Sequence, residues 1–229
     1  YKDFISLGYD FGINLKNSIN EVDFLPMYTN SQNDAIYDFA SIGKAHIFLD
    51  SNNIVSFGSK NIFTQFGIYR TGYGNFLNEG LALNDTAYHN SNVSSTYLTE
   101  KLSYSQHISV VGATTNSFLK DEITESNKMI SFHQLSYKFA PRFSMSYYET
   151  IVFGRRFDLS YMLPVSFLLA QSLNGNNDNL QLGLSFKYNP IDEIMWVTDF
   201  FVDYLNLSEL LKFNFESKNS FAFKSGFIY

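Results

Sequence analysis

Alternation of apolar and polar residues most restricts how this chain can fold. Odd positions from 5 to 15 are apolar (Ile5, Leu7, Tyr9, Phe11, Ile13 and Leu15), while even ones are Ser, Gly, Asp or Asn. The same period of two recurs over 102–114 and 180–188. A period of two places successive side chains on opposite faces of a β-strand. The length of the first segment is close to the roughly 9–11 residues that a tilted membrane-crossing strand needs. The repetition predicts an antiparallel β-sheet and favours a barrel over a soluble half-buried sheet.

Composition agrees with a single barrel domain covering residues 1–229. The apolar fraction is 45% and the aromatic fraction 18%, yet mean hydropathy is only −0.12. Such neutrality is expected where only every second residue meets lipid. No run of about 18 apolar residues is present, so the sequence predicts no transmembrane helix. Because the chain opens with Tyr1 and shows no signal peptide pattern, we expect a processed or truncated chain.

Charge and cysteine content exclude several classes of partner and site. The net charge is −6 without a block of Lys or Arg, so nucleic acid is not expected as a partner. The chain has no cysteine, which removes disulfides, thiolate nucleophiles and cysteine–zinc sites. We expect no cofactor and no metal site.

The spacing of connections supports the barrel and places it in the outer membrane of a diderm bacterium. Short polar turns are predicted at 50–53, 99–101, 139–142, 189–193 and 217–219, alternating with longer connections at 17–33, 71–92, 116–128, 155–179 and 205–211. Outer-membrane barrels have short periplasmic turns and long outer loops. The count is about eleven strands, which would end the last strand on the outer side. Single-chain barrels usually have an even number, so either one strand is miscounted or the chain is part of a larger barrel.

Two stretches resemble the capsule-assembly Wzi-like outer-membrane barrels of spirochaetes and Bacteroidetes. One is residues 67–87 (GIYRTGYGNFLNEGLALNDTA). The other starts at 148–156 (YETIVFGRR), continues through 161–164 (YMLP) and 178–179 (DN), and ends near Asp203. The resemblance covers most of 60–205. It implies a non-catalytic barrel that binds surface polysaccharide or serves envelope assembly, although this chain is about half the usual length.

Charged and aromatic residues near strand ends are the candidate ligand-binding set: Arg70, Glu149, Arg155, Arg156, Tyr161, Asp178, Asn179 and Asp203. Arg forks and Tyr rings could grip sugar hydroxyls and acidic groups. A salt-bridge network that pins loops inside the barrel is the more common alternative. Because charge on a lipid-facing side is costly, we expect these groups to face the lumen or the rim.

Three further patterns keep alternatives open. Asp199 and Asp203 alternate with aromatics, which predicts lumen-facing carboxylates that pair with Arg155 or Arg156 or bind a cation. His107 and Ser109 share one strand face, an arrangement similar to outer-membrane lipid A deacylases. Residues 159–173 could form a short helix packed in the lumen.

Sequence therefore predicts an outer-membrane barrel with lipid and a surface glycan as partners and no catalytic residue. A porin-like channel, with an open lumen, and an acyl hydrolase, with activity lost in His107→Ala, are the alternatives. A wholly soluble β-domain is a further alternative.

Overall fold

The described part of the chain folds almost entirely into β-strands. A computed structural model describes residues 4–16, 40–42, 45–74, 80–83, 90–111, 114–115, 123–125, 128–154, 156, 158–163, 167–168, 178–203 and 220–229. Within these ranges, no helix is both long and apolar enough to cross a bilayer. The all-β expectation is therefore confirmed.

Thirteen strands and one short 3₁₀ helix make up the described elements. The strands are β1 (Ile5–Lys16), β2 (Ala40–Ile42), β3 (Ala45–Gly58), β4 (Ile62–Tyr69), β5 (Asn90–Leu98), β6 (Leu102–Val111), β7 (Thr114–Thr115), β8 (Ile123–Glu125), β9 (Lys128–Ala140), β10 (Phe143–Gly154), β11 (Asn179–Ile191), β12 (Ile194–Asp203) and β13 (Ser220–Ile228). The 3₁₀ helix, Leu159–Tyr161, follows β10, and the Asp158 side chain caps it by accepting a hydrogen bond from the Ser160 amide.

Ten strands form one antiparallel sheet in the order β1-β3-β4-β5-β6-β9-β10-β11-β12-β13. Strand β2 pairs with the beginning of β3, and β7 pairs with β8 in a separate two-stranded sheet. Strands β1 and β13 are the two edges, and no pairing joins them among the described residues. Because ten strands alternate in direction, the two edge strands run antiparallel to each other.

Short connections gather at one end of the sheet and long ones at the other. The turns after β5, β9 and β11 fall where the sequence predicts them, at 99–101, 141–142 and 192–193. The turn predicted at 50–53 is wrong, because β3 continues through these residues and the chain turns at 59–61. The long connections at 17–44, 70–89, 112–127 and 155–178 are described only in part, and 204–219 lies outside the described residues.

The expectation that the last strand ends on the long-connection side is also wrong. Strand β13 pairs directly with β12, from Asp203↔Ser220 to Met195↔Ile228. No strand lies between them in the sheet, so β13 runs back toward the short turns. Its end and the start of β1 lie at the same end of the sheet. The short turn predicted at 217–219 lies outside the described residues.

The sheet has one polar and one apolar face. Residues that oppose each other across antiparallel strands point to the same side, so the register assigns every side chain to a face. The row Ser56, Gln65, Ser94 and His107 belongs to the polar face. The row Val55, Phe66, Val93 and Ile108 belongs to the apolar face. The apolar face carries the large exposed side chains, such as Leu7, Phe66, Phe200 and Phe223.

On the polar face, one tyrosine reaches across a whole strand. The Tyr148 ring, on β10, lies over Gly183 of β11, and its hydroxyl donates to the Phe200 carbonyl of β12 at 3.5 Å. A Cβ at Gly183 would lie 1.9 Å from Tyr148 Cζ. Glycine is therefore required sterically here, because any side chain would push the buried ring off the strand.

Gly183→Ala tests this packing. We expect a loss of about 1–3 kcal/mol in unfolding free energy, the usual effect of overfilling a packed site. Urea unfolding of the purified protein, followed by circular dichroism, measures it. Gly8→Ala is the matched control, because its Cβ would meet only Ile54 Cβ at 3.9 Å. The loss should shrink in a Tyr148→Ala background, and an equal loss in both backgrounds would contradict this account.

Candidate functional site

Three of the candidate side chains and Asp158 meet where the connection 155–178 leaves and rejoins the sheet. Arg156 binds both Asp178 oxygens, with Nη1 donating to Oδ1 at 3.3 Å and Nη2 to Oδ2, and its Nε donates to Asp158 at 3.2 Å. The Tyr161 hydroxyl donates to Asp178 Oδ2 at 2.8 Å. The Arg156 guanidinium also lies 5.8 Å from the centre of the Tyr161 ring. We call Arg156, Asp158, Tyr161 and Asp178 the Arg156 cluster.

Electrostatics stabilise the charged forms in this cluster. The hydrogen bond from Arg156 to Asp178 raises the pKa of the guanidinium above its ordinary value. The Ser160 hydroxyl, followed by the Ser160 amide and Arg156, lowers the pKa of Asp158. Because Arg156 is partly exposed, its ion pair with Asp178 contributes little to the free energy of folding. Its main effect is to fix the positions of the two side chains. The cluster joins the two ends of the connection, as a pinning network does, and 40% of the Arg156 side chain stays exposed.

A second group lies beside it on the polar face. Asn179 Nδ2 and Gln181 Nε2 both donate to Asp203 Oδ1, at 3.1 and 3.0 Å. Because Asn179 directly follows Asp178, the two groups form a continuous polar rim at the long-connection end. Asp203 thus lies on the polar face, opposite to Phe200 of its own strand, and these two amides are among its partners.

Glu149 corrects the expectation that charged groups avoid the apolar face. Its register partners are His133 and Leu182, which places it among apolar side chains, and only 2% of it is exposed. It accepts hydrogen bonds from the Tyr147 hydroxyl at 3.1 Å and the Leu168 amide at 2.8 Å. His133 Nδ1 lies 3.6 Å from Glu149 Oε1. These partners offset the cost of burying a carboxylate.

The cover over Glu149 is part of the connection after β10. We call residues 158–163 and 167–168 the strap. Tyr161 and Leu168 of the strap are fully buried, in a cluster with Ile151, Phe153 and Leu180 of the apolar face. Of the short helix predicted over 159–173, the described residues show the 3₁₀ helix Leu159–Tyr161 and a helical residue at Leu168. They pack on the apolar face, which corrects the expected packing against a polar interior.

A different connection occupies the polar face. The Tyr73 ring, after β4, stacks on Phe132 with centroids 4.5 Å apart and lies 5.9 Å from His107. The Tyr73 amide donates to the Leu83 carbonyl at 3.1 Å. A Cβ at Gly80 would lie 1.7 Å from the Tyr73 carbonyl oxygen, so this bridge needs glycine there. Gly80 thus allows the backbone bridge that holds this connection against the sheet.

His107 and Ser109 share the polar face, as predicted, but lack a catalytic arrangement. Both are buried, and His107 lies against the rings of Tyr69 and Tyr73. His107 Nδ1 has no hydrogen-bond partner within the described part of the chain. The orienting carboxylate that an esterase requires is therefore not seen at this histidine.

The remaining predicted residues fall in different places. Asp199 is buried on the polar face, where it accepts a hydrogen bond from the Ser185 hydroxyl. Its register partner on β13 is Lys224, so the observed neighbours differ from the predicted arginine. Arg70 is exposed directly after β4. Arg155 lies outside the described residues. In the part of the chain that is described, no three acidic or histidine side chains gather as a metal site.

Sequence reasoning missed three buried polar side chains beneath the strap: Gln106, Ser131 and His133. The signal was present in β9. Ser131 and His133 interrupt the apolar series Met129, Leu135 and Tyr137 on the same face. Polar residues on an otherwise apolar face imply a partner that covers them.

Asp178→Asn tests whether the Arg156 cluster holds the strap. The change keeps the shape of Asp178 but removes the charge that binds Arg156. We expect amide hydrogens of 159–163 to exchange about 5-fold faster, since partly exposed pairs contribute about 1 kcal/mol or less. Asp192→Asn is the control, because Asp192 pairs with Arg142 at the other end of the sheet. Unchanged exchange in Asp178→Asn would contradict a pinning role.

Comparison with protein-family models, curated proteins and solved structures finds no match for this chain. Its function therefore has to be inferred from the two faces of the sheet and the groups built on them.

Proposed function

We propose that this chain is an outer-membrane β-barrel that binds a surface polysaccharide. The observation that carries the membrane part is the exposed apolar face. Its side chains include Leu7 at 78% exposure, Tyr9 at 72% and Phe223 at 62%. Contiguous apolar surface on this scale marks an interaction with lipid or protein, and it runs across strands from one edge of the sheet to the other.

Aromatic residues at the short-turn end favour lipid as the partner. Tyr97, Tyr104, Tyr137, Tyr188 and Trp196 lie on the apolar face near the short turns. Tyr and Trp concentrate where a membrane meets water, because the ring is apolar and its polar group reaches the headgroups. A protein interface has no need for such a row at one level.

Strand number and direction are compatible with closure. Ten strands is an even number, and β1 and β13 are antiparallel, so their free backbone groups could pair. Closure would satisfy the edge groups that hydrocarbon cannot. It would also place the polar face inside.

The polar interior favours binding over conduction. Tyr73 sits on Phe132, and the Cβ position of the next residue, Gly74, is 3.7 Å from the Asp199 carboxylate on β12. This connection therefore reaches from β9 toward β12 across the polar face. A porin-like channel needs an open lumen, so we place it second.

Polysaccharide binding is assigned to the rim at the long-connection end. The Arg156 cluster offers a guanidinium, two carboxylates and a tyrosine ring, and Asn179, Gln181 and Asp203 add two amides and a third carboxylate. Planar guanidinium groups bind carboxylates and sugar hydroxyls through paired hydrogen bonds. The Wzi-like resemblance points to the same class of ligand.

Polysaccharide binding and barrel formation are tested on purified protein in detergent. A barrel should migrate differently on gels with and without boiling. Immobilised protein should retain a neutral polysaccharide, dextran, better than the acidic polygalacturonate, because the rim holds three carboxylates and one guanidinium. Arg156→Gln should weaken retention of dextran about 10-fold, because the guanidinium orders two of these carboxylates. Arg142→Gln is the matched control, an exposed paired arginine at the opposite end. Equal binding by both variants, or no mobility shift, would contradict the proposal.

A further inference from the structure

Four polar side chains lie together on the apolar face beneath the strap. Gln106, His133 and Glu149 are consecutive register partners across β6, β9 and β10. Ser131 precedes His133 by two residues and therefore lies on the same face. Each of the four is at most 5% exposed. Burying four polar side chains on an apolar face costs free energy, so their presence together suggests a function.

We propose that Ser131, His133 and Glu149 are the nucleophile, base and orienting carboxylate of an acyl-ester hydrolase that the strap holds closed. Glu149 Oε1 lies 3.6 Å from His133 Nδ1, so it can accept the Nδ1 proton and leave Nε2 as the base. Positions i and i+2 place the Ser131 hydroxyl and the His133 imidazole on the same face, and the imidazole can turn toward the hydroxyl once the strap no longer binds that hydroxyl. This arrangement has the carboxylate that His107 and Ser109 lack.

The strap occupies the place that a substrate would take. The Ser131 hydroxyl donates to the Tyr161 carbonyl, and Gln106 Nε2 donates to the Met162 carbonyl at 2.7 Å. Two successive carbonyl oxygens of the strap thus satisfy the donors that an ester would meet. When the strap lifts, the Gln106 amide can donate to the oxyanion formed from the ester carbonyl.

The reaction is an ordinary acyl transfer with water as co-reactant. Ser131 Oγ bonds to the ester carbonyl carbon while His133 Nε2 takes the hydroxyl proton. The bond to the alcohol oxygen then breaks, and the imidazolium returns the proton to the leaving alcohol. Water, deprotonated by His133, attacks the acyl-serine, and the carboxylic acid leaves as Ser131 regains its proton.

The surroundings identify the substrate class as a fatty-acyl ester. Ile151 and Leu180 flank the site, and Leu182 and Phe153 continue the apolar wall. An acyl chain would replace Leu168 and the Tyr161 ring, which fill this surface when the strap is down. A sugar or a peptide would leave polar groups unsatisfied against these walls.

Fluorophosphonate labelling of a strap-loosened chain tests the proposal. In Leu168→Ser, a buried anchor of the strap is lost, and we expect the probe to modify Ser131, as mapped by mass spectrometry. The same variant should hydrolyse p-nitrophenyl octanoate. Both activities should fall about 100-fold or more in Leu168→Ser/His133→Ala. Leu168→Ser/Ser109→Ala is the matched control and should keep both, because Ser109 lies on the opposite face.

Two results would overturn the assignment. One is an unlabelled Ser131 in folded Leu168→Ser whose amides at 159–163 exchange rapidly, because the strap is then open and the serine inert. The other is labelling that persists without His133. If Leu168→Ser does not fold, Asp178→Asn replaces it, because this change loosens the end of the strap without altering a residue of the sheet. Labelling of Ser131 and its dependence on His133 are then measured in the same way. None of these outcomes depends on polysaccharide binding or membrane insertion.

Discussion

The period of two in an extended chain is the constraint on which the rest of this structure depends. Once backbone hydrogen bonds fix the register of ten antiparallel strands, every side chain is committed to one of two faces. The rows that contain His107 and Ser185 then build a polar face, and those that contain Phe66 and Phe200 build an apolar one. The polar face receives the connection that carries Tyr73, because its ring finds Phe132 and His107 there.

Within the described strands, a charged side chain stands on the apolar face at one place, and this exception has a physical answer. Glu149 and His133 stand on the apolar face, where an uncovered carboxylate would be costly against hydrocarbon or in a dry interface. The strap covers them and donates the Leu168 amide to Glu149, while Tyr161 and Leu168 bury their own apolar surface. The buried polar groups and the segment that covers them therefore occur together, because the strap supplies the hydrogen-bond partners that the apolar face lacks.

The sequence predicts those features that depend on interactions between residues close together in the chain. Alternation in β1 and β11 is local, so the strands, most turns and the all-β class could be predicted. The turn at 50–53 was misplaced because Asp50 and Asn53 are typical turn residues, whereas pairing with β1 and β4 carries β3 through them. Arg156 and Asp178 were both predicted site residues, but their mutual binding spans 22 positions and is a tertiary fact. The face of Glu149 was mispredicted because its cover lies in another segment.

The environment of the single tryptophan tests the central claim, that the apolar face meets lipid, most directly. Trp196 lies on that face, 45% exposed, with its indole N–H donating to Ser225 at 2.9 Å. After reconstitution into vesicles of brominated phosphatidylcholine, its fluorescence should be quenched strongly, and more by bromine near the headgroups than near the bilayer centre. Iodide in the aqueous phase should quench it weakly. Strong quenching by iodide with no effect of brominated lipid would contradict the account.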